Sequence, residues 1–195
     1  MALKDIRTHE LVRKAIHMSS SAIPLMYWYL FDRDPMLKIV IIMASGFLLA
    51  EYLRFQSPGV KQLFTAIFGP ALRPHEYQKL TGATYVFTGA VLSIFLFPEE
   101  VAVPALLILS FSDTSAALIG IPFGRHPFFA KSMEGSTAFF IVTLIILWLF
   151  YPERYISNIG IAGLLTVAEA LPAKIDDNFM IPMVAGILLM LVHVL

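Results

Sequence analysis

The sequence predicts an all-α fold: a polytopic membrane helical bundle of about seven transmembrane helices with a cytoplasmic N-terminus. Three observations carry this. The chain is 58% hydrophobic and 14% charged, with a mean hydropathy of +0.77, whereas soluble domains carry roughly 25% charged residues. Seven apolar runs lie at roughly 12–31, 36–53, 82–98, 101–121, 136–151, 156–171 and 179–195, and a crossing needs about 17–25 residues. If all seven cross, 11 of the 14 Lys and Arg residues fall on the cytoplasmic side, as the positive-inside rule requires. Residues 1–195 therefore read as one integral membrane domain. Lys plus Arg and Asp plus Glu both total 14, so no basic excess points to nucleic acid. The chain has no cysteine, which excludes disulfides and thiolate metal ligands.

The first run follows basic residues, as a signal peptide would. It ends at Asp32-Arg33-Asp34-Pro35 rather than at a small-residue cleavage site, so it reads as a retained span. Glu10, Arg13, Lys14 and His17 are spaced i, i+3, i+4, i+7 and share one face. That face is either an ion-pair ladder with a buried histidine or a set of phosphate-binding cations with His17 as a base. The second run ends with Glu51 and Arg54. In the long connection 54–81, Leu63, Phe64, Ile67 and Phe68 recur beside Lys61 and Gln62, an amphipathic pattern suited to the membrane surface. The third run opens Lys79-Leu80-Thr81-Gly82-Ala83-Thr84, a small, hydroxyl-rich entry that either faces a ligand or simply starts a helix. The three outer turns, FDRDP, FPEE and YPER, carry no comparable cluster.

The chemically loaded stretch is Ser112 to Ser136. Asp113 lies inside the fourth run, and Ala116, Ala117 and Gly120 share its face. A charge within a span is costly and marks a functional site by default; the competing reading is a structural acid paired with a basic neighbour. The segment 121–127, with two prolines and a glycine, is expected not to be helical throughout. Arg125 offers a bidentate fork for phosphate and Lys131 a point charge. Ser132, Glu134, Gly135 and Ser136 open the fifth helix, whose free N–H groups favour an anion. Glu134 is equally good helix-start chemistry. Glu169, Asp176, Asp177 and Asn178 supply oxygen donors near the same end, a set suited to Mg²⁺ held by one or two carboxylates plus phosphates. Solvation and helix capping are the alternative for that acidic turn.

At these motifs the sequence resembles the CTP-dependent lipid-alcohol kinases: dolichol kinase, phytol kinase and the CTP-dependent diacylglycerol kinase, related to phosphatidate cytidylyltransferases. The matching pieces are ELVRKAIH at Glu10–His17, LTGATY at Leu80–Tyr85, SDTSAALIG at Ser112–Gly120, FGRHP at Phe123–Pro127, KSMEGS at Lys131–Ser136 and DDNFMIP at Asp176–Pro182. They occur in the family's order over nearly the whole chain. The resemblance implies CTP as phosphoryl donor, a divalent metal (Mg²⁺ or Mn²⁺) and a catalytic membrane domain, and is consistent with a homodimer. It implies that Asp113 and the Asp176-Asp177 pair belong to the metal and phosphate site, that Lys131, Glu134 and Gly135 match a K-x-x-E-G element, and that Arg125 matches a G-R element. One departure is that Ser112 stands where relatives often have glycine, and the G-R is displaced to Gly124-Arg125.

The expected reaction is transfer of the γ-phosphoryl group to the hydroxyl of a membrane lipid alcohol (polyprenol or dolichol, phytol or similar) at a cytoplasm-facing site in the cell membrane. Asp113 or His17 would orient or deprotonate the hydroxyl. Lys131 would act in catalysis. Phosphates would meet Arg125, Lys131, Ser132, Glu134, Gly135, Ser136, Lys14, Arg13, Lys79 and Thr81. The metal would meet Asp176, Asp177, Asp113 and Glu169. The rivals are nucleotidyl transfer to a lipid phosphate, as in a phosphatidate cytidylyltransferase, and a small membrane transporter with Asp113 and Glu169 as ion-coupling acids.

Overall fold

Helices follow the apolar runs closely in the computed structural model, which describes residues 13–172 and 175–194. Lys4, Arg7, Glu10 and Lys174, which entered the topology and ladder arguments, lie outside the described residues. The elements are α1 (13–19), α2 (Ala22–Tyr29), α3 (Arg33–Gln56), α4 (Pro58–Phe68), α5 (Gly82–Leu96), α6 (Glu99–Leu107), α7 (Asp113–Phe123), α8 (Met133–Phe150), α9 (Tyr155–Ala170) and α10 (Asp177–Leu189). Short 3₁₀ turns at Gly69–Ala71 and Pro74–Tyr77 join α4 to α5. Between α7 and α8 a small antiparallel hairpin pairs β1 (Pro127–Phe128) with β2 (Lys131–Ser132).

The bundle is built around one continuous helix, Glu99–Phe123, formed by α6, a π-helical turn at Ile108–Ser112 and α7. Every residue of α6 from Val101 to Leu107 is buried, and α2, α5, α8 and α10 pack on it. Pro104 inside this helix has no N–H for the carbonyl of Glu100. The hydroxyl of Tyr151 donates to that carbonyl instead, at 2.6 Å, so the acceptor freed by the proline is paired. The π turn adds one residue just before Asp113, a device common at functional sites. Ser110 there meets Ser20 of the first run (Oγ–Oγ 3.0 Å), and Ser112 accepts from Thr143 of α8 at 2.9 Å.

Among the described residues, α3, Glu99–Phe123 and α8 are long and apolar enough to cross a membrane; α5, α9 and Asp177–Val192 are apolar but shorter. The expected single span 12–31 is divided: the helix breaks at Ser20–Ser21. Ser19 and Ser20 donate to the carbonyls of Ile16 and His17, both at 2.6 Å, competing with the helical ladder, and Pro24 offers no N–H to the carbonyl of Ser20. The expected break within 121–127 comes late. The helix runs through Pro122 to Phe123 and ends at Gly124, because a proline in the last turn removes only one bond. The amphipathic stretch forms α4 as expected, with Phe64 buried and Leu63, Ile67 and Phe68 exposed.

The α7–α8 crossing, the tightest approach to the loaded stretch, is made by glycine. A Cβ on Gly135 would stand 2.9 Å from the carbonyl oxygen of Ala116 and 3.2 Å from the Cα of Gly120. Gly135→Val is therefore expected to destabilise the protein by about 1–3 kcal/mol through overpacking. Thermal unfolding in detergent reads this as a lowered Tm, and an unchanged Tm would contradict so close a crossing.

Candidate active site

Asp113 sits at the start of α7 with its side chain 9% exposed. Lys14 of α1 donates to both its carboxylate and, at 3.2 Å, its backbone carbonyl. His17, one turn further along α1, places Nε2 3.2 Å from Asp113 Oδ2. Both ring nitrogens of His17 are buried and neither has a hydrogen-bond partner, so its contact with Asp113 is one of proximity and charge. Two residues of the predicted face on the first run thus meet one acid across 99 positions of sequence. An uncompensated charge at this burial would cost several kcal/mol, so Lys14 and Asp113 stabilise each other as a pair.

Lys131 forms a second centre. The hairpin that carries it turns at Phe129, a non-glycine residue held at φ +49°, in the sparsely populated left-handed region. Ala130 N–H bonds the carbonyl of Ala170 at 3.0 Å, docking the hairpin against the end of α9. Lys131 Nζ then lies 3.0 Å from both Glu169 Oε1 and Asp177 Oδ2. Burial alone would lower the Lys131 pKa; the two carboxylates outweigh it and raise the pKa above the ordinary lysine value. Asp113 and Glu169 are close enough for their charges to interact, as are Lys14, Arg13 and Arg73. The two centres therefore belong to one charged cluster.

Sequence reasoning missed Arg73, which reaches Asp176 Oδ2 at 3.5 Å. It stands in the 54–81 connection beyond the amphipathic stretch, where no pattern marks it. Glu76 was also missed. It is 3% exposed and accepts from the backbone N–H groups of Arg73 (2.7 Å) and Gly82 (2.8 Å), fixing both the Arg73 loop and the start of α5. Asp176 caps α10 by accepting from Asn178 N at 3.0 Å, and the Asn178 amide reaches the carbonyl of Gly82 at 3.2 Å.

Several predicted phosphate contacts are engaged elsewhere. Glu134 accepts from the backbone of Arg125 (3.1 Å) and from His126 Nδ1 (2.8 Å), tying down its own loop. Ser132 caps α8 through Gly135 N at 3.2 Å. Gly135 packs against α7, Ser136 is buried with its hydroxyl unpartnered, and Arg125 is exposed. Thr81 donates its N–H to Glu51 at 2.8 Å, and the Lys79 carbonyl accepts from Arg54. Glu51 and Arg54, 1% and 2% exposed, pair with each other as a buried support beneath the α5 entry.

Among the described residues no group of three or more His, Cys, Asp or Glu side chains is arranged to hold a metal. The expected quartet of Asp113, Glu169, Asp176 and Asp177 is instead divided among Lys14, Lys131 and Arg73. Glu169 and Asp177 flank one ammonium, and Glu169 Oε2 is a buried oxygen without a partner. That all-oxygen pair fits a hard cation completed by substrate phosphates, which needs only one or two carboxylates from the protein.

A cavity of about 340 Å³ lies between α1 and α5. Arg13, His17, Glu76, Thr81 and Asn178 line its polar part; Ile23, Met26, Phe47, Val86 and Phe87 line its apolar part. Phe64 and Phe68 of α4 flank it as well.

The chain is similar to CTP-dependent diacylglycerol kinase 1 of Schizosaccharomyces pombe, with 28% identity over 209 aligned positions covering 95% of this chain and 94% of that protein. It is 30% identical to CTP-dependent diacylglycerol kinase 1 of Saccharomyces cerevisiae over 93% of this chain and 73% of that protein. An uncharacterized protein of Rickettsia prowazekii is 29% identical over 88% of both chains. No protein-family model and no solved structure matches the chain.

Proposed function

The chain belongs to the CTP-dependent lipid kinase family that includes the two yeast diacylglycerol kinases, and from that premise we propose that it transfers the γ-phosphoryl group of CTP to the hydroxyl of a membrane lipid alcohol at the cytoplasmic face. Diacylglycerol, named in those relatives, heads the candidate acceptors; polyprenol, dolichol and phytol follow. We further propose that all seven apolar runs cross the bilayer with the N-terminus in the cytoplasm. The observation that carries the reading is the meeting of Lys14 and His17 with Asp113, and of Lys131 with Glu169 and Asp177, with His17 also lining a largely apolar cavity.

Phosphoryl transfer is mostly positioning and charge stabilisation. His17 Nδ1 takes the proton of the acceptor hydroxyl while the Asp113 carboxylate, 3.2 Å from Nε2, stabilises the charge the ring gains. The lipid oxygen forms a bond to the γ-phosphorus, the bond from that phosphorus to the β–γ bridging oxygen breaks, and CDP leaves. Lys131, Arg73 and Arg125 supply positive charge along the triphosphate, where preorganised cations act most strongly. Lys14 keeps Asp113 ionised and in place. A divalent ion such as Mg²⁺, when bound, neutralises phosphate charge, and Glu169 and Asp177 are the residues that would hold it.

The test uses purified protein in lipid micelles with Mg²⁺ and CTP labelled separately at the α and γ positions. Label from the γ position is expected in diacylglycerol or another lipid alcohol, and a chelator is expected to abolish its transfer. Label from the α position appearing in phosphatidate would instead establish nucleotidyl transfer and overturn the kinase reading.

A further inference from the structure

The α1–α5 cavity lies within the range of roughly 300–1,000 Å³ typical of ligand pockets, and its lining is apolar with a few polar groups, as such pockets usually are. Close-packed interiors hold few voids larger than a water molecule, so space of this size needs a reason. Two independent features say what fills it. First, His17 lines the cavity and is buried, yet neither ring nitrogen has a hydrogen-bond partner; Nε2 lies 3.2 Å from Asp113 Oδ2, which leaves Nδ1 for a ligand. A hydroxyl at the polar end of the cavity would satisfy Nδ1. Second, the lining runs along the first two helices from Arg13 to Met26. Ile23 and Met26 on one side and Phe47, Val86 and Phe87 on the other make that part of it apolar. The cavity therefore offers polar groups for a headgroup and an apolar wall for an aliphatic chain. It is flanked by side chains exposed on the bundle surface, Ile16 of α1 and Met43 of α3, so a lipid can enter sideways.

Resting on the kinase reading above, we propose that this cavity seats the acceptor: its hydroxyl at His17, one aliphatic chain running toward Met26, Met43 and Phe87, and any second chain left in the bilayer. The small Ala83, at the entry of α5 between the polar and apolar parts, sets the width of the passage. Phe87, stacked on Phe47 at 4.8 Å between centroids, forms the apolar wall and limits chain bulk. The occupant is a lipid alcohol from the cytoplasmic leaflet with an aliphatic chain that fits a cavity of about 340 Å³, as in a diacylglycerol. A long polyprenol would have to leave the cavity again.

The experiment pairs turnover with cross-linking. A diacylglycerol carrying a photoreactive group near the end of one acyl chain is irradiated with wild-type protein in micelles, without and with CTP. Labelled peptides are expected to contain Met26, Met43 or Phe87. Ala83→Leu is expected to cut this labelling and raise the apparent KM for diacylglycerol about tenfold, with the KM for CTP unchanged. Phe87→Ala, which opens the cavity instead of filling it, is expected to improve the relative kcat/KM for branched-chain acceptors. It also keeps the proposal testable if Ala83→Leu does not fold. Labelling confined to outward residues such as Leu149 and Ile156, or a wild-type lipid KM in both variants, would overturn the cavity assignment. Cavity labelling without γ-label transfer to any alcohol would instead overturn the kinase reading and leave the lipid seat standing.

Discussion

Asp113→Asn is expected to lower phosphoryl transfer by about 100- to 10,000-fold, the range associated with losing general acid–base function, and to destabilise the protein at the same time. The variant keeps the shape of the side chain but removes the charge facing Lys14, whose side chain is 4% exposed. Breaking one side of a buried pair costs about 3–5 kcal/mol because the other charge is left uncompensated. The two effects separate in the double variant Lys14→Met/Asp113→Asn. There no buried ammonium remains, so the Tm in detergent should recover much of the loss while turnover of γ-labelled CTP stays low. Wild-type turnover in Asp113→Asn would end the assignment of this acid to the chemistry. Recovery of turnover in the double variant would make Asp113 purely structural.

The second large effect is expected at Lys131. Lys131→Met leaves Glu169 and Asp177 facing each other without the cation 3.0 Å from both, and removes a positive charge from the proposed phosphate path. A fall of about 100- to 1,000-fold in kcat is expected, the size seen when one preorganised electrostatic contact to a developing charge is lost. Lys131→Arg should recover only part of it, since a guanidinium fork cannot occupy the same point between two carboxylates. The pH dependence has a definite sign. The Lys131 pKa is raised in the folded protein, so its stabilising contribution is fully present below the unfolded value and is lost only as pH rises through the folded one. Lysine deprotonation should therefore leave stability unchanged from neutral to mildly alkaline pH. A stability loss in that range that disappears in Lys131→Met would contradict the pairing.

Much of the architecture was legible because it depends on local signals. Apolar runs place α3, α5, α8 and α9 within a few residues of their observed limits, since burial of a helix in lipid or core requires an unbroken apolar stretch. The unusual acid at Asp113 and the basic residue at Lys131 stood out for the same reason, as charges where hydrophobicity is otherwise continuous. The break at Ser20–Ser21 was not legible, because serine hydroxyls compete with the helical ladder only when their geometry allows it. The helix continues through Pro104, as the single run 101–121 implied, but the pairing of the freed carbonyl was hidden. It rests on Tyr151, 47 positions later in the chain, donating to the freed carbonyl of Glu100.

The sequence by itself determined a helical membrane chain and its kinship with the CTP-dependent lipid kinases, and it singled out most charged residues of the candidate site. Composition, run length and motif order are properties of neighbouring positions and survive without coordinates. The tertiary structure decided the partners: Lys14 with Asp113, Lys131 with Glu169 and Asp177, and the unmarked Arg73 with Asp176. It also decided that Glu134 and Ser132 hold their own loop and that His17 lines a largely apolar cavity. Buried charges take whichever opposite charge packing brings within a few ångströms, and that choice lies in how the helices cross.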